Sequence, residues 1–238
     1  LYHLTNRVAK AYSTYEFHTI YHLLHNFCVI DMSSIYLDVL KDRLYCSATH
    51  AHSRNAAQTT MSSILTTLVK LMAPILPFTA EELWRYLPPD GEREESVHLS
   101  CFPQLDHAYS NTQLYEKWQI LFQVRDVVLK VLEEKRAEKL IGNSLEAEVN
   151  IEAPEKLFLF LKDYQDILED LFIVSKVNLS ELPSGKELTL EASLETLHVS
   201  VTRTPGEKCE RCWKYSETVG EDRDHPTICH RCARVVKG

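Results

Sequence analysis

From Ala11 to Tyr45 the apolar positions recur at intervals of three and four residues: Tyr15, Ile20, Leu23, Leu24 and Phe27, then Ile35, Tyr36, Val39 and Leu40. That period predicts two amphipathic helices, each burying one stripe. Ser33 and Ser34, beside Asp31, predict the start of the second. A third helix is expected from about Asn55 to Met72, with Ile64, Leu65, Leu68, Val69 and Leu71 inward, ended by Pro74 and Pro77. TAEELWRYL reads as a short helix capped by Thr79, with Glu82 completing a capping box, before a PPDGEREES loop. A long helix follows from about Thr112 to Lys139, striped by Leu114, Trp118, Leu121, Phe122, Val128, Leu129 and Leu132 and ended by Gly142.

At Leu145 the period changes. EAEVNIEA alternates Ala147, Val149 and Ile151 with polar neighbours, as a strand does. PEKLFLFLKDYQDILEDLF then predicts a helix with Pro154 in its first turn, and IVSKVNLSE and LHVSVTRT predict two more strands. LPSGKELT holds a Gly-Lys pair without an earlier glycine at P-loop spacing and reads as a turn. The expected fold is therefore mainly α: a helical bundle over residues 1–144, a small α+β module over 145–203, and a tail over 204–238.

Composition adds little to this division, but charge adds more. The chain of 238 residues is 45% apolar and 25% charged, as a globular protein is. No uninterrupted apolar run reaches the roughly 18 residues of a membrane span, so the expectation is a cytoplasmic chain with no membrane partner. Its first residue, Leu1, stands in what reads as mid-helix, which suggests a piece of a longer protein. The net charge of -8 is concentrated: residues 146–200 carry 12 acidic against 4 basic side chains, whereas 201–238 carry 6 against 8. A polyanion can still be met outside the acidic segment, because binding follows local patches.

Cys28, Cys46 and Cys101 stand singly in apolar surroundings, as small buried hydrophobes do. The other four cysteines form CERCWKYSETVGEDRDHPTICHRC, two C-x-x-C pairs separated by sixteen residues. Two such knuckles complete a tetrahedron of thiolates, which makes Cys209, Cys212, Cys229 and Cys232 candidate ligands of one structural zinc. An iron site of rubredoxin type is compatible with the same spacing. His225 and His230 are reserve ligands, and four thiolates leave no open position for substrate. The tail has few large apolar residues, so metal binding is expected to supply its folding energy.

Trp213 follows the first knuckle and has two readings: it packs over the metal as a mini-core, or it stacks on an unpaired base. In the second reading Arg211, Lys214, Arg231, Arg234 and Lys237 grip phosphates. On the helices the candidates for nucleic-acid contact are Arg43, Arg54, Arg125, Lys130 and Arg136, with internal pairing as the other reading of Arg125. His18, His22 and His25 share a helix face but lack a further ligand, so they read as a polar face.

Several stretches carry a family resemblance: FH at 17–18, YLDVLKDRLY at 36–45, APILPFTAEELW at 73–84, VRDVVLKVLEEKRAEKLIGNSLEAEV at 124–149 and CERCW at 209–213. Together they closely resemble the C-terminal part of bacterial-type isoleucyl-tRNA synthetases, in order and over essentially the whole chain. YLDVLKDRLY and PILPFTAEELW are similar to the helical anticodon-binding domain shared by the isoleucine, valine, leucine and methionine enzymes. IGNSLEAEV followed by a four-cysteine tail resembles the isoleucine group. The resemblance implies a class I ligase that activates isoleucine with ATP, charges isoleucine tRNA and proofreads in a separate domain. The family's H-I-G-H and K-M-S-K-S signatures are absent from these residues, so this chain is expected to bind tRNA without charging it. Its expected partners are isoleucine tRNA and the catalytic and editing remainder of the synthetase, in a monomer. A freestanding zinc-ribbon adaptor for protein partners and a thiol-disulfide enzyme are the alternatives.

Overall fold

A computed structural model describes residues 1–88, 93–104, 110–182 and 189–238, apart from the side chains of Leu190 and Glu191. The Gly-Lys pair of LPSGKELT and the middle of PPDGEREES lie outside the described residues. The chain divides into two compact units, one of Leu1–Leu44 with Thr49–Asn111, the other of Tyr45–Ala48 with Thr112–Gly238.

In the first unit α1 (Tyr2–Ser13) and α2 (Phe17–Asn26) bring Leu4, Val8, Ala11, Ile20 and Leu24 against Ile64, Leu68 and Leu71 of α5 (His52–Met72). The Tyr12 hydroxyl donates to the Leu71 carbonyl at 2.8 Å and fastens this core. Tyr15, expected in the stripe, instead turns the chain between α1 and α2 with a φ of 57° and is 79% exposed. Leu65 is exposed as well.

The break expected at Ser33 and Ser34 is absent. Phe27–Tyr36 continues α2 as a π-helical stretch into α3 (Leu37–Val39). Ser33 and Ser34 donate their hydroxyls to the carbonyls of Cys28 and Val29, five residues back, at 2.8 and 2.9 Å. They satisfy the wide helix from within rather than capping a new one. Through α4 (Lys41–Cys46) the helical run covers Phe17–Cys46, 30 residues within which an 18-residue window reaches a mean hydropathy of 1.3. By length and composition it is long and apolar enough to cross a membrane.

The α6 helix (Pro77–Tyr86) starts three residues earlier than expected, with Pro77 in its first turn and Leu76 in the cap position, so Thr79 is not the cap. Proline presets the helical φ and lacks only an N–H that would have no partner there. Ala80, Trp84 and Leu87 pack with Val69, Ala73 and Val97 in a second small core. Cys101, expected as a buried hydrophobe, is exposed.

The second unit is built on a sheet of order β2-β1-β3. β1 (Ala147–Ala153) is central, parallel to β2 (Lys176–Glu181) and antiparallel to β3 (His198–Arg203). Val149 faces Val177 on one side and Val201 on the other. The parallel pairing requires a crossover. It is made by α8 (Glu155–Lys162) and α9 (Gln165–Phe172), so the single helix expected after Pro154 is broken near Tyr164.

The long helix α7 (Thr112–Ala137), grouped with the bundle in the sequence reading, shares its core with this sheet. Leu121, Val124, Val128 and Leu132 pack with Val149, Ile151, Leu157, Leu161, Leu168 and Phe172. Each fully buried side chain of this kind is worth about 1.5–3 kcal/mol of transfer free energy. A helix stripe and a sheet face, both apolar, are each other's obvious cover. Leu114, at the exposed start of α7, lies outside that core. The short helix α10 (Leu190–Glu195) precedes β3, and beyond it β4 (Glu207–Lys208), β5 (Tyr215–Ser216) and α11 (His230–Lys237) carry the tail.

Candidate zinc centre and nucleic-acid interface

Two tight turns and one helix start place the four cysteines. In the first knuckle the Cys209 N–H donates to the Lys214 carbonyl at 3.0 Å and the Trp213 N–H donates to the Cys209 carbonyl at 2.9 Å. Trp213 closes this turn with a φ of 64°, in the left-handed region. In the second knuckle Cys229 is the cap residue of α11 and Cys232 lies in its first turn. The pairing of β4 with β5 brings the first knuckle back on itself, and Gly206 makes that possible. Its φ is 92°, and a Cβ there would stand 2.3 Å from the Ser216 carbonyl carbon.

The four sulfurs lie within 4.8 Å of one another, with Cys212 and Cys229 Sγ 3.9 Å apart. Four Zn–S bonds of about 2.3 Å in a tetrahedron require sulfurs about 3.8 Å apart, so the set fits zinc. Neither His225 nor His230 joins the group among the described residues.

The electrostatics fit as well. Burial raises the Cys209 thiol, but N–H groups of Cys212, Cys229 and Arg211 outweigh it and bring the pKa down to about 6. Burial pushes Cys212 and Cys232 up, and the neighbouring thiolates push the same way. Four thiolates this close need a cation to neutralise them. The site carries a structural zinc: among the described residues only Ile228, Ala233 and a few partners such as Val219 pack around the cysteines, too small a core to fold alone.

Trp213 is 61% exposed, so it does not form a mini-core over the metal. The Lys208 ammonium, which the sequence reading missed, stands 5.2 Å from the centre of its ring. Its position immediately before Cys209 was the only available signal.

The expected basic residues separate into two groups. Arg125 is buried and its Nε donates to the Leu171 carbonyl at 3.1 Å. Lys214 lies between Glu169 and Asp170, at 3.1 and 3.2 Å. Arg136 pairs with Glu133 and donates to Ser144 Oγ. The Arg211 guanidinium donates to the carbonyls of Cys46 and Tyr45 at 2.7 and 3.3 Å, and to Cys232 Sγ at 3.7 Å. Lys237 pairs with Asp222 and Asp224. Arg43 and Arg54 are half-buried in the first unit, and the Arg54 Nε meets no hydrogen-bond acceptor among the described residues. Lys130, Arg231 and Arg234 are exposed, and Arg231 also hydrogen-bonds the Cys212 sulfur. His18, His22 and His25 are exposed and form no metal-binding group among the described residues.

Comparison with known proteins adds the family. The family model described as anticodon-binding domain of tRNA ligase matches residues 1–151. The chain belongs to that family. The family model of the zinc finger found in FPG and IleRS matches residues 206–235, around the four cysteines. Among curated relatives, the isoleucine-tRNA ligase of Moorella thermoacetica is 48% identical over 242 residues, 100% of this chain and 26% of that protein. The isoleucine-tRNA ligase of Syntrophotalea carbinolica is 50% identical over 98% of this chain and 25% of its own length. That of Geobacter sulfurreducens is 44% identical over the same shares. The chain thus spans about a quarter of the curated relatives it matches. The anticodon-binding family model extends through α7 into β1, so it crosses both compact units.

Proposed function

We propose that this chain is the tRNA-binding C-terminal portion of a cytoplasmic, monomeric isoleucine-tRNA ligase. It recognises the anticodon region so that the catalytic part, lying elsewhere in a longer chain, can attach isoleucine in an ATP-dependent reaction. The observation that carries this reading is an exposed indole, Trp213, fixed on a four-cysteine zinc knuckle in a chain of the anticodon-binding family. Splayed loop bases are read by stacking on such rings, while basic side chains hold the phosphates. Cys209, Cys212, Cys229 and Cys232 hold the zinc. Trp213 takes a base, with Lys208, Arg231 and Arg234 nearby in sequence or structure for phosphates. Lys130, Arg43 and Arg54 are the candidate phosphate contacts on the helices. A freestanding zinc adaptor is not favoured, because the ligase relatives match the chain from end to end rather than at the tail alone.

The test is a titration of isoleucine tRNA, and of transcripts with substituted anticodons, at salt concentrations from about 50 to 200 mM. Affinity is expected to fall with salt and with anticodon substitution, and to fall again when zinc is chelated. Equal binding of the substituted transcripts would refute the reading.

A further inference from the structure

The geometry points to Lys214 as a positioning residue that fixes the direction in which the zinc knuckle presents Trp213, rather than as a contact to phosphate. This inference rests on the reading of Trp213 as the base-stacking residue.

Lys214 follows Trp213 directly, yet the two side chains lie in opposite environments. Trp213 is 61% exposed, whereas the Lys214 side chain keeps 14% of its surface. Its ammonium sits between Glu169 Oε2 at 3.1 Å and Asp170 Oδ1 at 3.2 Å, in the last turn of α9. The next residue repeats the attachment through the backbone. The Tyr215 N–H donates to Ser175 Oγ at 2.7 Å, and that hydroxyl donates onward to the Leu145 carbonyl. Two consecutive residues of the knuckle are thus fastened to the segment that leads from α9 into β2.

The same residue also closes the metal turn, because its carbonyl accepts the Cys209 N–H at 3.0 Å. Zinc fixes the shape of the knuckle, but four thiolates say nothing of how the knuckle stands on the sheet module. The Lys214 pair and the Tyr215 bond supply that orientation on the sheet module, beside the Arg211 bonds to the Cys46 and Tyr45 carbonyls. An ammonium held by two carboxylates is electrically covered and brings little attraction for a phosphate. Among the described residues the indole between Cys212 and Lys214 has no such tie apart from Lys208 above its ring, so its direction follows the backbone on either side.

Two substitutions from opposite sides test this in the full chain. Lys214→Met removes the cation, and the double variant Glu169→Ala with Asp170→Ala removes its anchors while keeping it. A positioning role predicts that both weaken tRNA binding by about fivefold, the low end of the cost of a lost base stack. The slope of affinity against salt should stay at the wild-type value, zinc should remain at one per chain, and Lys214→Arg should restore binding. A phosphate contact predicts the opposite sign for the acidic pair, whose removal would then tighten binding, and a slope lower by about one for Lys214→Met. Either result would overturn the inference.

Fluorotryptophan labelling gives a readout that needs no RNA. The resonance identified by its loss in Trp213→Phe should broaden in both variants, while those of Trp84 and Trp118 hold still. If the wild-type chain binds no tRNA, the proposed function fails and this resonance alone decides. Broadening supports the positioning role, and an unchanged line rejects it.

Discussion

Arg125 reaches from the middle of α7 to the last turn of α9, where its Nε donates to the Leu171 carbonyl at 3.1 Å. Carbonyls in the last turn of a helix have no partner within it, and a cation there also complements the helix dipole. Arg125→Met is expected to destabilise the second unit by about 1–3 kcal/mol, the cost of leaving such a buried acceptor unmet. Denaturant unfolding measures it. The salt dependence of tRNA binding should not change, which separates this residue from a phosphate contact.

Lys130 lies one and a half turns further along the same helix and is exposed. Lys130→Ala should leave stability within about 0.5 kcal/mol and lower the salt slope of tRNA binding by about one. An unchanged slope would remove it from the interface.

Gly206 controls the metal site from outside it. A Cβ at this position would meet the Ser216 backbone at 2.3 Å, in a conformation that L side chains rarely adopt. Gly206→Ala should therefore open the β4–β5 pairing and destabilise the knuckle by more than about 1 kcal/mol. Competition with a chromogenic chelator would show it as weaker zinc retention. A variant that holds zinc like the wild type would contradict this.

Trp213→Ala should weaken tRNA binding by about 1–3 kcal/mol with zinc content unchanged. Full chelation should go further and unfold the tail while the circular dichroism of the remaining helices persists. Among the tail elements only α11, of 8 residues, is a helix, so the ellipticity lost is small. A global collapse on chelation would contradict the separate folding of the tail.

Glu148 supplies a pH signature. Its carboxylate accepts from Lys176 Nζ at 2.9 Å and from Asn178 Nδ2 at 2.6 Å, and these bonds lower its pKa below the ordinary carboxylate value. A group depressed on folding adds stability above its unfolded pKa, near 4.3, and loses it as pH falls through the folded value. Wild type and Glu148→Gln should therefore differ in stability at neutral pH and converge below about pH 4. Unfolding both chains at a series of pH values cancels the zinc contribution, which they share.

The sheet module and the metal ligands were legible because their signals are local. Ala147, Val149 and Ile151 alternate as a half-buried strand must, and all three are buried. The spacing of the cysteines is itself the geometry of two knuckles. What could not be read was tertiary. The stripe of α7 says that the helix is buried, but not that it covers a sheet formed by residues after it. Lys214 and Arg136 look like surface cations until their partners, Asp170 and Ser144, are seen beside them, and the internal pairing open to Arg125 finds its partner in the Leu171 carbonyl. Pro77 stands where a stop signal for the preceding helix is expected, yet it opens the next one, because proline starts a helix as readily as it ends one.

The wide turns from Phe27 to Tyr36 act as a phase shifter. Each hydrogen-bonded ring there holds one residue more than in an α-helix, so the apolar repeat upstream of Phe27 and the one downstream of Tyr36 no longer share an angular origin. Ile20 and Leu24 on one side and Leu40 on the other are all buried, although no single α-helical wheel drawn through the intervening residues would relate them. Removing one residue from this stretch would leave every side chain chemically unchanged and turn one end of the helix relative to the other. A length change here therefore alters which surface the bundle shows, something that no substitution of its exposed residues would do.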